Sequence, residues 1–270
     1  MVESALLDER RTVMSVYNIV FSPTGGTQRV ADIFAKSFCM GDACIHIDLT
    51  SHETDFSQFT FEEKDICIVS VPSYGGRVPA AAVARLCGMK GNKAAAILIA
   101  VYGNRAYDDT LAELQDTLTG AGFSCIAAVA SVAEHSIMRQ FASGRPDAQD
   151  EKELGEFARV IRAKMDAGSL SACLNLPGNR PYREYGGVPM KPKTGKDCTG
   201  CGLCAKACPV KAIDVSNPSK TDTESCISCM RCLAVCPQKA RSVSSVLLAA
   251  GSMKMKKACS DYKKNELFYG

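Results

Sequence analysis

From Ser15 to about Ala167, short apolar runs alternate with segments whose apolar residues recur at helical spacing. The runs "SVYNIVF" (15–21), "CIHIDLT" (44–50), "DICIVSV" (65–71), "AAAILIAVY" (94–102) and "CIAAVAS" (125–131) have the length and composition of strands. Between them the spacing predicts helices near 27–39, 79–90 and 108–122, and a closing helix over 147–168. The helix over 108–122 carries acids early and glycine at its end, the usual polarity of helix termini. Strands that alternate with helices need crossover connections, and the crossovers cover the sheet faces. The pattern therefore predicts an α/β fold, a doubly wound five-stranded parallel sheet.

Periodicity stops after Gly168. Residues 168–197 hold Pro177, Pro181, Pro189 and Pro192 with five glycines, the composition of an extended or wrapping segment. The chain thus divides into a first unit over 15–168, a linker over 169–190, a small unit over 191–242 and a C-terminal stretch over 243–270. That last stretch reads as a short helix and a basic tail.

The small unit is dense in cysteine, and its cysteines repeat. "CTGCGLCAKACP" (198–209) and "CISCMRCLAVCP" (226–237) superpose with a constant offset of 28, and each is followed by Lys and Ala. An internal duplication explains this. In C-x2-C-x2-C-x3-C-P the first three thiolates converge on one cluster, while the fourth points away and serves the other half. The spacing therefore predicts two 4Fe-4S clusters in a small α+β domain. One is held by Cys198, Cys201, Cys204 and Cys236, the other by Cys226, Cys229, Cys232 and Cys208. Zinc also uses C-x2-C, but it gives no reason for three cysteines at successive spacings of three, for the Cys-Pro ends, or for two blocks so alike.

A second chemistry sits after the first strand, where "SPTGGT" (22–27) precedes a predicted helix. Backbone N–H groups at such a junction attract an anion. A triphosphate loop needs a lysine, but Gln28 follows Thr27; a dinucleotide loop needs spaced glycines, whereas Gly25 and Gly26 are adjacent. What fits is a monophosphate cradle of Ser22, Thr24, Gly25, Gly26 and Thr27 with no basic side chain. In the doubly wound order 2-1-3-4-5, a flavin mononucleotide binds at the switch between strands one and three. Two further loops fall where that order requires them, "PSYGGRVP" after strand three and "YGNRAYDD" after strand four. They supply Pro72, Ser73, Tyr74, Gly75 and Gly76, then Tyr102, Gly103, Asn104, Arg105, Tyr107 and Asp108. Tyr74 is the leading residue for stacking on the flavin ring, with Tyr102 or Tyr107 for its other face. His135 could lie near the flavin, although a single histidine is more often structural. Cys39, Cys44, Cys67, Cys87, Cys125 and Cys173 read as small buried residues.

Composition narrows the setting. Fifteen cysteines in a chain whose start, "MVESALLDERRTVM", mixes acids and bases point to metal binding in the cytoplasm rather than to a disulfide framework. No apolar run approaches the roughly 18 residues of a membrane span. Residues 1–190 carry 18 basic against 23 acidic side chains, and residues 191–270 carry 14 against 6. Opposite charges favour docking of the two units on each other. The basic residues are dispersed among few aromatics, which does not favour a nucleic-acid partner.

With "IVFSPTGGTQRVA", "PSYGGRVP" and "YGNRAYDD" in its first half and the cysteine repeat in its second, the chain resembles the fused flavodoxin-like ferredoxins of anaerobic bacteria and archaea over about residues 15–241. The resemblance implies FMN on the first unit and two 4Fe-4S clusters on the second. It also implies an electron-transfer role, with a redox partner docking near the ferredoxin unit. The alternative is an FMN-dependent reductase acting on NAD(P)H, a quinone or another small acceptor. Arg105 stands where many flavodoxins are acidic, and beside a flavin it would favour an anionic reduced form.

Overall fold

The computed structural model describes residues 14–41 and 43–270; most of the N-terminal stretch considered above lies outside them. Its centre is the parallel sheet that the pattern predicts. The strands are β1 (Val16–Val20), β2 (Cys44–Asp48), β3 (Ile66–Pro72), β4 (Ala95–Tyr102) and β5 (Ser124–Val132), and they lie in the order 2-1-3-4-5. Helix α1 (Gly26–Phe38) follows β1, α2 (Ala80–Gly88) follows β3, α3 (Thr110–Gly120) follows β4 and α4 (Ala148–Asp166) follows β5.

Alternation along each strand sorts the core into two layers. Val69 and Leu98 face Leu86 of α2 and Leu111 and Leu118 of α3. Ile68 and Ile99 face Val30 and Phe34 of α1 and Leu154 and Ile161 of α4. Because both faces are covered, the central strands are buried almost throughout.

The linker is a strap. Leu174 and Leu176 enter the core beside α3. Asp109, at the start of α3, accepts from the Asn179 and Arg183 amides, each at 2.7 Å. Arg180 pairs with Asp116 at 2.7 Å. The small unit follows, with β6 (Lys193–Thr194) and β7 (Arg241–Ser242) pairing antiparallel around two single-turn helices, α5 (Leu203–Lys206) and α6 (Arg231–Ala234).

The sheet differs from the sequence expectation at one edge. After α7 (Ser245–Cys259) the chain turns back, and β8 (Glu266–Tyr269) pairs antiparallel with β5, Ala127 opposite Tyr269 and Ala130 opposite Glu266. The sheet therefore has six strands, and the C-terminal stretch is part of it. An uncovered β5 would present a row of unpaired backbone groups. The turn into β8 is fixed by Asn265. Its Oδ1 accepts from Ser131 Oγ at 3.0 Å and the Val132 amide at 3.1 Å, and its Nδ2 donates to Asp150 and Glu153, each at 2.9 Å.

Asp150 is fully buried against Arg145. Burial alone would raise its pKa, but the Arg145 guanidinium, the Asp147 amide and Asn265 hold it below the ordinary carboxylate value. A depressed folded pKa stabilises the fold fully above the unfolded value of about 3.9, and that contribution is lost as pH falls through the folded value. We expect Asp150→Asn to flatten the acid limb of a denaturation-versus-pH profile. Arg145→Ala, which leaves the charge unpaired, should cost about 3–5 kcal/mol at neutral pH in denaturant titration.

Candidate functional site

The two cysteine repeats come together as two cavities. One is lined by Cys198, Cys201, Cys204 and Cys236, the other by Cys208, Cys226, Cys229 and Cys232. Each takes three thiols from one repeat and its fourth from the other, the crossed arrangement expected from the spacing. The single turns α5 and α6 pack through Cys204, Ala205, Cys232 and Leu233, so each fourth cysteine is delivered to the opposite cavity. Among the described residues, no three His, Cys, Asp or Glu side chains form a single-ion site; the thiols line shared openings instead. Cys208 Sγ accepts from the Ala212 amide and Cys236 Sγ from the Ala240 amide, each at 3.3 Å. Such contacts favour a thiolate and tune a bound cluster. Burial pushes the Cys229 thiol up to about 12 and the Cys232 thiol up to about 11. Iron binding at these positions would therefore displace protons.

The second candidate site lies at the carboxyl ends of β1, β3 and β4. Gly25 caps α1 without a side chain, and Ser22 Oγ accepts from the Gln28 amide at 2.9 Å. Thr24 and Gly25 are exposed, while Ser22 and Thr27 are buried. The first turn of α1 therefore starts at a solvent-exposed stretch of this loop, the kind of N-terminus that attracts an anion. The loop after β3 is closed by reciprocal Tyr74 and Arg77 backbone hydrogen bonds at 2.9 and 3.2 Å. Ser73 Oγ is bonded to Thr110 Oγ1 at 2.7 Å. Burial raises the Tyr74 phenol well above its ordinary pKa, and nearby Cys229 and Tyr185 add to that.

The loop after β4 departs from expectation. Tyr102 is buried in the core, and its ring meets that of Tyr107 edge-on at 5.3 Å. The Tyr107 hydroxyl donates to Glu266 of β8 at 3.2 Å. Both aromatics thus serve the join between the sheet and its sixth strand. The Asn104 side chain is buried and donates to the Cys259 and Asp261 carbonyls at 2.7 and 2.9 Å. Lys263 Nζ donates to the Asn104 carbonyl at 2.7 Å and also to that of Arg105. Arg105 does not stand as a free charge, because it pairs with Asp108, as does Arg183 of the strap. His135 packs on Gly103, and its Nδ1 accepts from the Ile137 and Met138 amides at 3.1 and 3.2 Å, which makes it a turn residue. Cys39, Cys67, Cys125 and Cys259 are buried and Cys44 is half-buried, but Cys87 and Cys173 are exposed.

Two contributors have no motif to announce them. The Tyr185 ring lies against Gly75 so closely that a Cβ there would fall 2.2 Å from it. Arg231, from the second cysteine repeat, donates through Nη1 to the Ser22 and Pro23 carbonyls, each at 3.4 Å. Its buried Nε has no partner, and its side chain also lines the cavity of Cys208 and Cys229. The cradle after β1 thus has a cation beside it after all, supplied from the other unit. The one signal in the sequence is a difference between the repeats, since Arg231 stands where the first has Leu203.

The comparisons with known proteins bear on the two parts separately. Residues 197–240 match the family model of the 4Fe-4S dicluster domain. No curated protein matches the chain. Among solved structures, it is similar to a flavodoxin of Streptococcus pneumonia TIGR4, with 22% identity over 56% of this chain and 99% of that one and a TM-score of 0.41. It is likewise similar to Megasphaera elsdenii flavodoxin, with 18% identity over 53% and 97% and a TM-score of 0.37. A third is rubredoxin oxygen:oxidoreductase from Desulfovibrio gigas, with 18% identity over 57% of this chain and 36% of that one and a TM-score of 0.37. The sheet order and the dicluster match together define a flavodoxin-like α/β unit joined to a 4Fe-4S ferredoxin-type unit.

Asp109 holds the strap that carries Tyr185. Burial would raise its pKa, but hydrogen bonds from Arg183 and Asn179 outweigh that and keep it below the ordinary value. We expect Asp109→Ala to release residues 176–185. Limited proteolysis should then cut within the strap at least tenfold faster, an opening of about 1.4 kcal/mol.

Proposed function

We propose that this chain is an electron-transfer protein that carries FMN on the first unit and two 4Fe-4S clusters on the second. The observation that carries the reading is Arg231, which belongs to the second cysteine repeat and yet hydrogen-bonds the carbonyls of the loop after β1. The phosphate would lie on the N-terminus of α1, held by Ser22, Thr24, Gly25, Gly26 and Thr27. The ring would lie against Tyr74, beside Gly75, Gly76 and Gly103, whose Cα faces are already covered by Tyr185, Asp108 and His135. The two quartets of thiols would each hold one cluster.

A bound flavin exchanges electrons in pairs or singly, and each cluster exchanges one. The chain's own part is to keep these sites adjacent and shielded. The strap closes over Gly75 through Tyr185, and the small unit covers the loop after β1. A redox partner protein would dock on the exposed side of the small unit, in the cytoplasm. Among the described residues, no helix is long and apolar enough to cross a membrane.

Anaerobic purification followed by iron, sulfide and flavin analysis should give about eight irons and one FMN per chain. Zinc, or about four or fewer irons after reconstitution, would contradict the cluster assignment. The same preparation should not sustain NAD(P)H oxidation; steady-state turnover with NAD(P)H and a quinone or another small acceptor would favour the reductase reading.

A further inference from the structure

The duplicated repeats are alike in their cysteines and unlike in the residues between them. Superposed at the offset of 28, Thr199, Gly200, Gly202 and Leu203 of the first repeat correspond to Ile227, Ser228, Met230 and Arg231 of the second. Three of these, at Thr199, Gly200 and Leu203, go from an exposed residue to a buried or half-buried one, while Gly202 and Met230 are both buried. Ile227 packs against the core layer that holds α2 and α3, and Ser228 Oγ donates to the Val188 carbonyl of the strap at 3.4 Å. Met230 is 3% exposed, and Arg231 reaches the loop after β1. In the first repeat Thr199 and Gly200 are exposed, and Leu203 is 47% exposed.

The backbone marks the same asymmetry. Gly200 and Gly202 sit at φ +71° and +74°, and their counterparts Ser228 and Met230 keep that conformation at φ +54° and +63°. A side chain is disfavoured there. Burial of the Ser228 and Met230 side chains offsets that penalty. A Cβ added at Gly200 or Gly202 would meet no atom within 4 Å, so the first repeat has nothing to gain from one and retains glycine.

From this we infer that the two cysteine cavities have different duties. The cavity of Cys208, Cys226, Cys229 and Cys232 is the flavin-side one, with Arg231 as the positioning residue between it and the loop after β1. The cavity of Cys198, Cys201, Cys204 and Cys236 is the outer one, with Leu203 and Cys201 at its surface. Around that outer cavity Lys196, Lys206 and Lys239 are exposed, as is Asp197.

This order rests on the cofactor reading above, and cluster reduction potentials test it separately from that reading. The full chain, loaded with clusters, is titrated potentiometrically by electron paramagnetic resonance before and after reloading with FMN. The FMN phosphate adds negative charge beside the flavin-side cavity, so FMN should lower the potential of one cluster. Arg231→Leu should lower the potential of that same cluster, and Arg231→Lys should restore it. Leu203→Arg, at an exposed position, should raise the potential of the other cluster. The order is overturned if FMN shifts the cluster that responds to Leu203→Arg, shifts both alike, or shifts neither. A preparation lacking FMN or either cluster would instead overturn the cofactor reading itself.

Discussion

The contact on which the two halves depend is the insertion of Arg231 between the loop after β1 and the cavity of Cys208, Cys226, Cys229 and Cys232. A guanidinium drawn out of water needs acceptors, and the Ser22 and Pro23 carbonyls supply them to Nη1. The buried Nε remains without one. An anion in the cradle would give this charge a counter-ion. Arg85 of α2 also reaches the Pro209 carbonyl, so the small unit is held to the first unit at a second place, while Lys191 binds the Cys226 carbonyl within the small unit.

The strap and the tail serve that arrangement from opposite sides. Asp109 and Asp116 bind the strap directly, and Glu113 holds Arg77, which donates to the Arg183 carbonyl. Together they bring Tyr185 over Gly75. Lys263 and Asn104 tie the loop after β4 to the end of α7, and Asn265 then starts β8. Two of the three strand-end loops are thereby immobilised by segments far away in sequence.

Much of this is legible in the chain. Five short apolar runs bounded by turn residues leave little choice of element type, and the C-x3-C-P end of each repeat predicts the crossed cysteine quartets. The sixth strand is not legible, because "ELFY" is short, sits on an edge and follows a lysine-rich turn that reads as tail. Tyr102 and Tyr107 are ambiguous for a physical reason. An aromatic at a strand end suits a flavin and a core boundary equally well, and only the presence of β8 decides between them. Arg231 is hidden because the repeats are conspicuous by their likeness, whereas their differences carry the docking surface.

Flavin and cluster sites that form one relay within a single chain exchange electrons without any encounter between molecules. Flash photoreduction of the flavin in the holoprotein, followed by absorbance of the clusters, measures that step. The relay predicts a transfer rate that is unchanged when the protein is diluted tenfold. A rate that falls in proportion to dilution would show transfer between molecules and contradict it.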